Sequence, residues 1–274
     1  MSKSKFDKDG FQIVTSKRFS KKKSTLPPKN IQYPIEITDV DIDKAIRKIQ
    51  TAKEVLQQSK YIEDTLKSVS TFLQSRKIVE IVCFGLGHIS DCNISRHQLA
   101  FLLCLRDFYS PEKVRVHDPV FYGRECDILK GLGIEVIDEN REGSYIISDE
   151  NITLMYLPHC PKQLTNNFLW CNWANKLLNC GIICNSITSL IENQPSRLLS
   201  ETVSYIYRIH PYTSEIVLEN NFKYTDIFND TSLHYFTKEN FEKLSSDFWS
   251  KKNKPQYNDN EEFITKLMIE KLNI

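Results

Sequence analysis

Apolar residues recur at three- and four-residue spacing from residue 39 to about residue 75. They are Ile42, Ala45, Ile46, Ile49, Val55, Leu56, Ile62, Leu66, Val69, Phe72 and Leu73, with no Pro or Gly between them. That period predicts a helix or helix pair, started by Asp39 or Asp41, with one apolar stripe for a core. At Ile78–Phe84 the pattern changes to a short β-branched run, IVEIVCF, as expected of a strand buried on both faces. From there the two patterns alternate. Helices are expected over 95–106, 120–132 and 164–178, and strands over 114–117, 134–137, 152–157 and 181–184, with Gly133 breaking the second helix. Beyond them, 195–210 is expected as a helix, 215–218 as a strand and 237–250 as a last helix.

Short strands alternating with helices of about a dozen residues imply right-handed βαβ units. The fold class is therefore α/β: a Rossmann-like, doubly wound, mainly parallel sheet with helices on both faces, core strand order 3-2-1-4-5, and an N-terminal helical extension. The expected organisation is a disordered basic tail over 1–35, a helical segment over 36–75, the α/β domain over 76–236 and a helical C-terminal segment over 237–274.

Composition narrows this little. The 274 residues carry a net charge of +1, which argues against bulk nucleic acid as partner. The charge is uneven, however. Residues 1–30 hold nine Lys/Arg against Asp7 and Asp9, a net +7, so the rest of the chain carries −6. The Lys-rich start reads either as a solvated tail or as an arm for an acidic partner. No apolar segment resembles a signal peptide or reaches the roughly 18–20 residues of a membrane span. The eight cysteines then read as reduced thiols in the cytoplasm or the nucleus.

Open α/β sheets bind ligands beyond the carboxyl ends of their strands, and the polar punctuation of this sequence falls there. Strand one ends at Gly85-Leu86-Gly87-His88, strand two at Asp118, strand four at Pro158-His159-Cys160 and strand five at Asn185-Ser186. Two glycines permit a sharp turn and a close backbone approach to a ligand, although Ser90 stands where the dinucleotide fingerprint has its third glycine. Asp118 either accepts from ligand hydroxyls or, before Pro119, caps the next helix. Glu125, seven residues on, either joins the rim or faces solvent. His159 is the leading candidate for acid/base or hydrogen-bonding work. Its neighbour Cys160 is a possible nucleophile, but adjacent side chains usually point apart. The acidic end of strand two and the Pro-containing turn after strand four also resemble methyltransferases at the level of motif. A zinc site from His159, Cys160, Cys180 and Cys184 lacks structural-site spacing. Trp173 reads as core. No G-x-S-x-G, Walker A loop or H-E-x-x-H is present.

In this order, Gly85-Leu86-Gly87, Gln98-Leu99-Ala100, Asp118-Pro119-Val120-Phe121, Glu125 and Leu132-Gly133 resemble the SRR-like (sensitivity to red light reduced) family. So do Pro158-His159-Cys160, Asn172-Trp173, Asn185-Ser186 and the run from Phe228 to His234. The resemblance covers roughly residues 76–236, and the length and Lys-rich start are most similar to the fungal member named for benomyl resistance. It implies a regulatory protein acting through protein partners, in light and clock signalling in plants and in microtubule-related processes in fungi. It supplies no catalytic residues and no cofactor. The alternative from the rim residues is a domain that binds a nucleotide or a methyl donor, and whether it is an enzyme is left open.

Overall fold

The computed structural model describes residues 40–250 and 252–257; the expected basic tail and, of the expected C-terminal segment, residues 251 and 258–274 lie outside them. Two amphipathic helices come first, α1 (Ile42–Gln57) and α2 (Lys60–Leu73). Asp41 caps α1 by accepting from Lys44 N at 2.9 Å, and Ser59 caps α2. The alternation follows: β1 (Ile78–Phe84), α3 (Asn93–Tyr109), β2 (Lys113–His117), α4 (Gly123–Gly131), β3 (Glu135–Val136), β4 (Ile152–Leu157), α5 (Lys162–Cys171) and β5 (Cys180–Asn185). The last third holds α6 (Ile187–Asn193), α7 (Ser196–Thr202), α8 (Ser204–Ile209), β6 (Ser214–Val217), β7 (Thr231–Tyr235) and α9 (Lys238–Glu242).

All seven strands form one sheet in the order β3-β2-β1-β4-β5-β7-β6. Strands β1 to β5 are parallel, whereas β7 runs antiparallel between β5 and β6. The sheet is mostly parallel and doubly wound, with its strand order reversing between β1 and β4. Side chains alternate between two cores, as the two-residue period of a strand requires. Ile81 and Cys83 of β1 and Leu154 and Tyr156 of β4 pack under α1, α2 and α3. Val82 and Phe84, with Met155 and Leu157, face α5 and α8 instead.

Four helix expectations need correction, and the first three failed against a side chain that bonds backbone. The second helix starts at Gly123 instead of residue 120, because Asp118 Oδ1 accepts from Val120 N at 3.0 Å and Glu125 Oε2 from Tyr122 N at 3.0 Å. The third ends at Cys171. There the buried Asn172 amide donates to the Tyr145 and Phe168 carbonyls at 2.7 and 2.9 Å and accepts from Ile147 N. The helix expected over 195–210 breaks at Val203, since Asn166 Oδ1 accepts from Tyr205 N at 2.9 Å and caps a fresh start. The last helix stops at Glu242, and the chain turns to lay Phe248 and Trp249 on the buried Trp173, with ring centroids 5.0 and 5.1 Å away. Strand β7 was not expected at all.

Candidate functional site

The turn after β1 is built from backbone geometry that side chains would obstruct. Gly85 sits at φ +80°, and a Cβ there would meet Cys160 Sγ at 2.3 Å; Gly87 sits at φ +69°, where a Cβ would meet Ser95 Oγ at 2.9 Å. Gly87 N donates to Asp118 Oδ2 at 2.7 Å. Asp118 therefore joins the ends of β1 and β2 through both carboxylate oxygens, and it is not the cap of the next helix. Each oxygen keeps a second lone pair for a ligand donor.

Glu125 is fully buried and does not reach the rim. Its Oε1 accepts from Ser90 N at 2.8 Å and Ser90 Oγ at 2.7 Å, while Oε2 accepts from Tyr122 N and lies 3.2 Å from His88 Nδ1. His88 follows it, stacked on the Tyr122 ring with centroids 4.0 Å apart. These two residues fasten the glycine loop to the start of α4 and are withdrawn from the ligand set by that role.

What remains encloses two adjoining cavities at the carboxyl edge of the sheet. The first, of about 500 Å³, opens between β1, β2 and β4 and is lined by Gly85, Gly87, Asp118, Pro158, His159 and Cys160. The second, of about 710 Å³, opens beyond β4 and β5 and takes in Asn185 and Ser186, sharing His159 and Cys160 with the first. The single rim expected from the strand ends is thus divided at the β4 turn. His159 forms the divide. It is exposed, at φ +49°, an unusual conformation for a residue with a side chain, and its Nε2 donates to the Ile227 carbonyl at 2.9 Å. Cys160 is unsuited to attack: burial, then the charge of Asp118, pushes its thiol up, and its Sγ donates to the Phe84 carbonyl at 3.1 Å.

Residues far away in sequence complete the first cavity. Ser95 and Gln98 come from α3, Asn140 and Glu142 from the loop after β3, and Asp226 and Asn229 from the loop before β7. The run from Phe228 to His234 hinted at the last of these and Gln98-Leu99-Ala100 at Gln98; no local signal marked the others. Asp118, Glu142 and Asp226 supply three carboxylates to its wall, and no Lys or Arg lines it. The apolar part is Leu86, Ile94, Val120 and Leu164, the mix of apolar wall and few polar groups usual for a small-molecule site. Among the described residues no group of three or more His, Cys, Asp or Glu is placed to hold a metal ion. Nor is any helix among them long and apolar enough to cross a membrane.

Comparison with known proteins gives a match to the SRR1 domain over residues 52–235. An SRR1-like protein of Drosophila melanogaster is 29% identical over 254 residues, covering 89% of this chain and 88% of its own. An SRR1-like protein of Mus musculus is 34% identical, covering 61% and 68%. The Arabidopsis thaliana protein SENSITIVITY TO RED LIGHT REDUCED 1 is 30% identical, covering 60% and 61%. Among solved structures, the 23S rRNA methyltransferase ErmE aligns over 63% of this chain and 68% of its own, with a TM-score of 0.35 and 11% identity. The plantazolicin methyltransferase BamL aligns over 66% and 80%, with a TM-score of 0.31 and 15% identity. These two structural likenesses are too distant to bear on function.

Proposed function

The chain belongs to the SRR1 domain family, and from that premise we propose that it is a regulatory domain that binds a nucleoside-type small molecule, neutral or cationic, in the cavity between β1, β2 and β4. The observation that carries this reading is the charge of the wall: three carboxylates and no Lys or Arg. A chain of phosphates would face three like charges there with no Lys or Arg to offset them, at distances where charges in a partly enclosed site interact strongly. A nucleoside with a sulfonium or ammonium group would be attracted. Asp118, placed at the end of β2 beside the β1–β4 point where the strand order reverses, is the acceptor for a pair of ribose hydroxyls. Leu86, Val120 and Leu164 offer the apolar surface for a flat ring, and the glycine turn lets the ligand approach the backbone. Of the two ligand classes left open by the sequence, the nucleotide and the methyl donor, the wall favours the methyl donor. Such a ligand would be compatible with a role as an enzyme or as a ligand-gated partner of other proteins. The microtubule-related role, and the kinship with the fungal benomyl-resistance member, rest on resemblance alone; the basic arm suited to an acidic partner lies outside the described residues.

Thermal unfolding of the full chain with an adenosyl sulfonium, adenosine, ATP and NAD tests the reading. A ligand at a hundred times its Kd stabilises by about 2.7 kcal/mol, so the sulfonium should raise Tm by several degrees, adenosine by less, and ATP and NAD not at all. Asp118→Asn should abolish the shift. Stabilisation by ATP or NAD in preference, or by none of the four, would sink it.

A further inference from the structure

The second cavity holds a cluster that the proposed ligand site does not use. Cys184, near the end of β5, lines it and is 5% exposed. His234, from the middle of β7 and fully buried, brings Nδ1 to 3.5 Å from Cys184 Sγ and 3.2 Å from the Ile182 carbonyl. On its other side, Nε2 lies 3.4 Å from Glu215 Oε2 on β6 and accepts from Ile187 N at 3.2 Å. Glu215 is itself fixed in place, accepting from Ser186 Oγ at 2.5 Å, Thr188 N at 2.9 Å and Thr188 Oγ1 at 2.6 Å. A thiol, an imidazole and a carboxylate stand in line, and the thiol end opens on the cavity.

We infer that Cys184 is a thiol–disulfide exchange site for a small polar disulfide of the glutathione class, with His234 and Glu215 as the residues that charge and position its sulfur. A buried imidazole whose Nδ1–H faces a sulfur stabilises the thiolate, and a carboxylate beside the far nitrogen strengthens that effect. Burial lowers the His234 pKa, but Cys184 and then Glu215 outweigh it and raise it to about 10. Burial likewise opposes the Glu215 charge, and the bonds from His234, Ser186 and Thr188 hold that carboxyl well below the usual range. The other titratable groups near the line do not compete for the proton. His210, which meets Thr188 Oγ1 at 3.4 Å, has its pKa lowered chiefly by burial. Burial pushes up the thiols of Cys160 and Cys180.

The choice of reactant follows from the wall. Asn185, Asn193, Gln194 and Gln163 present amide groups, and Lys162 contributes a cation bonded to Gln194 Oε1. Such a lining suits a peptide-like molecule with carboxylates better than an apolar electrophile. In the exchange, the proton of Cys184 Sγ leaves through the cavity, the His234 Nδ1–H steadies the thiolate, and the sulfur bonds to one sulfur of the disulfide. The S–S bond of that molecule breaks, and its other half leaves as a thiolate that is protonated in the cavity. Cys184 is oxidised to a mixed disulfide and the departing half is reduced to a thiol, so no further oxidant is required.

The test is site-resolved mass spectrometry of the native full chain incubated with oxidised glutathione from pH 6 to 8.5. Cys126, half-buried with its thiol pKa raised, chiefly by burial, is the internal reference. Its rate should fall about tenfold per pH unit on acidification, as for any thiol below its pKa, whereas the Cys184 rate should fall less than threefold across the range. In His234→Gln, checked for native circular dichroism, Cys184 should slow at least tenfold at pH 6.5 and acquire the steep profile. A merely structural role for the three residues predicts no glutathione on Cys184 in the folded wild type, or a Cys184 profile as steep as that of Cys126. Either result overturns the inference without recourse to the variant.

Discussion

The two cavities share a wall at His159 and Cys160 but are assembled in opposite ways. On the β1–β2 side, carboxylates hold backbone: Asp118 takes Gly87 N and Val120 N, and Glu125 takes Ser90 N and Tyr122 N. Every donor lies in the loop after β1 or at the start of α4, within about 40 residues of its acceptor. On the β5–β7–β6 side, side chains hold one another across the sheet, Glu215 to Ser186 and Thr188, and His234 to Cys184. The first arrangement shapes a loop and leaves carboxylate oxygens at its edge. The second sets a thiol, an imidazole and a carboxylate in line. The proposed roles follow that division, recognition for the first half and chemistry at sulfur for the second.

The sharpest way to break the first half is Glu125→Ala. It would strip a fully buried carboxylate from two backbone donors, a hydroxyl and an imidazole at once, leaving the buried Ser90 N and Oγ unpaired away from water. Breaking buried charged groups in this way costs about 3–5 kcal/mol, read as a lower midpoint in urea at unchanged m-value. Glu125→Gln, which keeps acceptor capacity on one oxygen only, should lose roughly half of that. A loss under about 1 kcal/mol for the alanine would mean that the glycine loop is not held by this residue.

The second half should differ in responding to pH. His234 has its pKa raised from 6.5 to about 10, so its stabilising contribution is complete below about pH 6.5 and is lost as the pH climbs toward 10. The stability gap between wild type and His234→Gln should therefore shrink by roughly 4 kcal/mol between pH 6 and pH 9.5 in urea titrations. Gly85 and Asp118 variants should show no such trend. A gap that stays constant over that range would mean that the imidazole is held neutral by Ile187 N–H.

The same contrast explains what the sequence made legible. Strands β1, β2, β4 and β5, the order 3-2-1-4-5 and the placing of Gly85, Gly87, Asp118 and His159 at one edge all follow from local periodicity and from where each apolar run stops. Two of the helix errors came where a side chain bonds backbone far away, as when Asn166 restarts a helix at Ser204 or Asn172 ends one at Cys171 by holding Tyr145 and Ile147. Glu125 was misplaced because helical spacing gives a direction but not the loop that folds over it. Strand β7 and the line from Cys184 to Glu215 escaped notice altogether. Thr231–Tyr235 reads TSLHY, too short and too polar to announce a buried strand, and its pairing with β5 is fixed by contacts about fifty residues apart.

Two smaller perturbations would sharpen the boundary between the halves. Gly85→Ala sets a methyl group 2.3 Å from Cys160 Sγ at φ +80° and should cost roughly 1–3 kcal/mol. Adding Cys160→Ala removes the sulfur, so the pair should recover the steric part and retain the backbone strain, a coupling visible in a double-mutant cycle. No coupling would mean that the β4 turn shifts freely and that the two cavities are independent. Ser186→Ala is the mildest change. Its hydroxyl caps α6 through Ser189 N at 3.0 Å and donates to Glu215, so about 1 kcal/mol should be lost, the usual effect of a missing cap. Glu215 would keep Thr188 and His234, and the Cys184 exchange rate should hardly move. If that rate collapsed instead, the carboxylate would be steered by Ser186 and not by the Thr188 pair, and the line to the thiol would begin one residue after the end of β5.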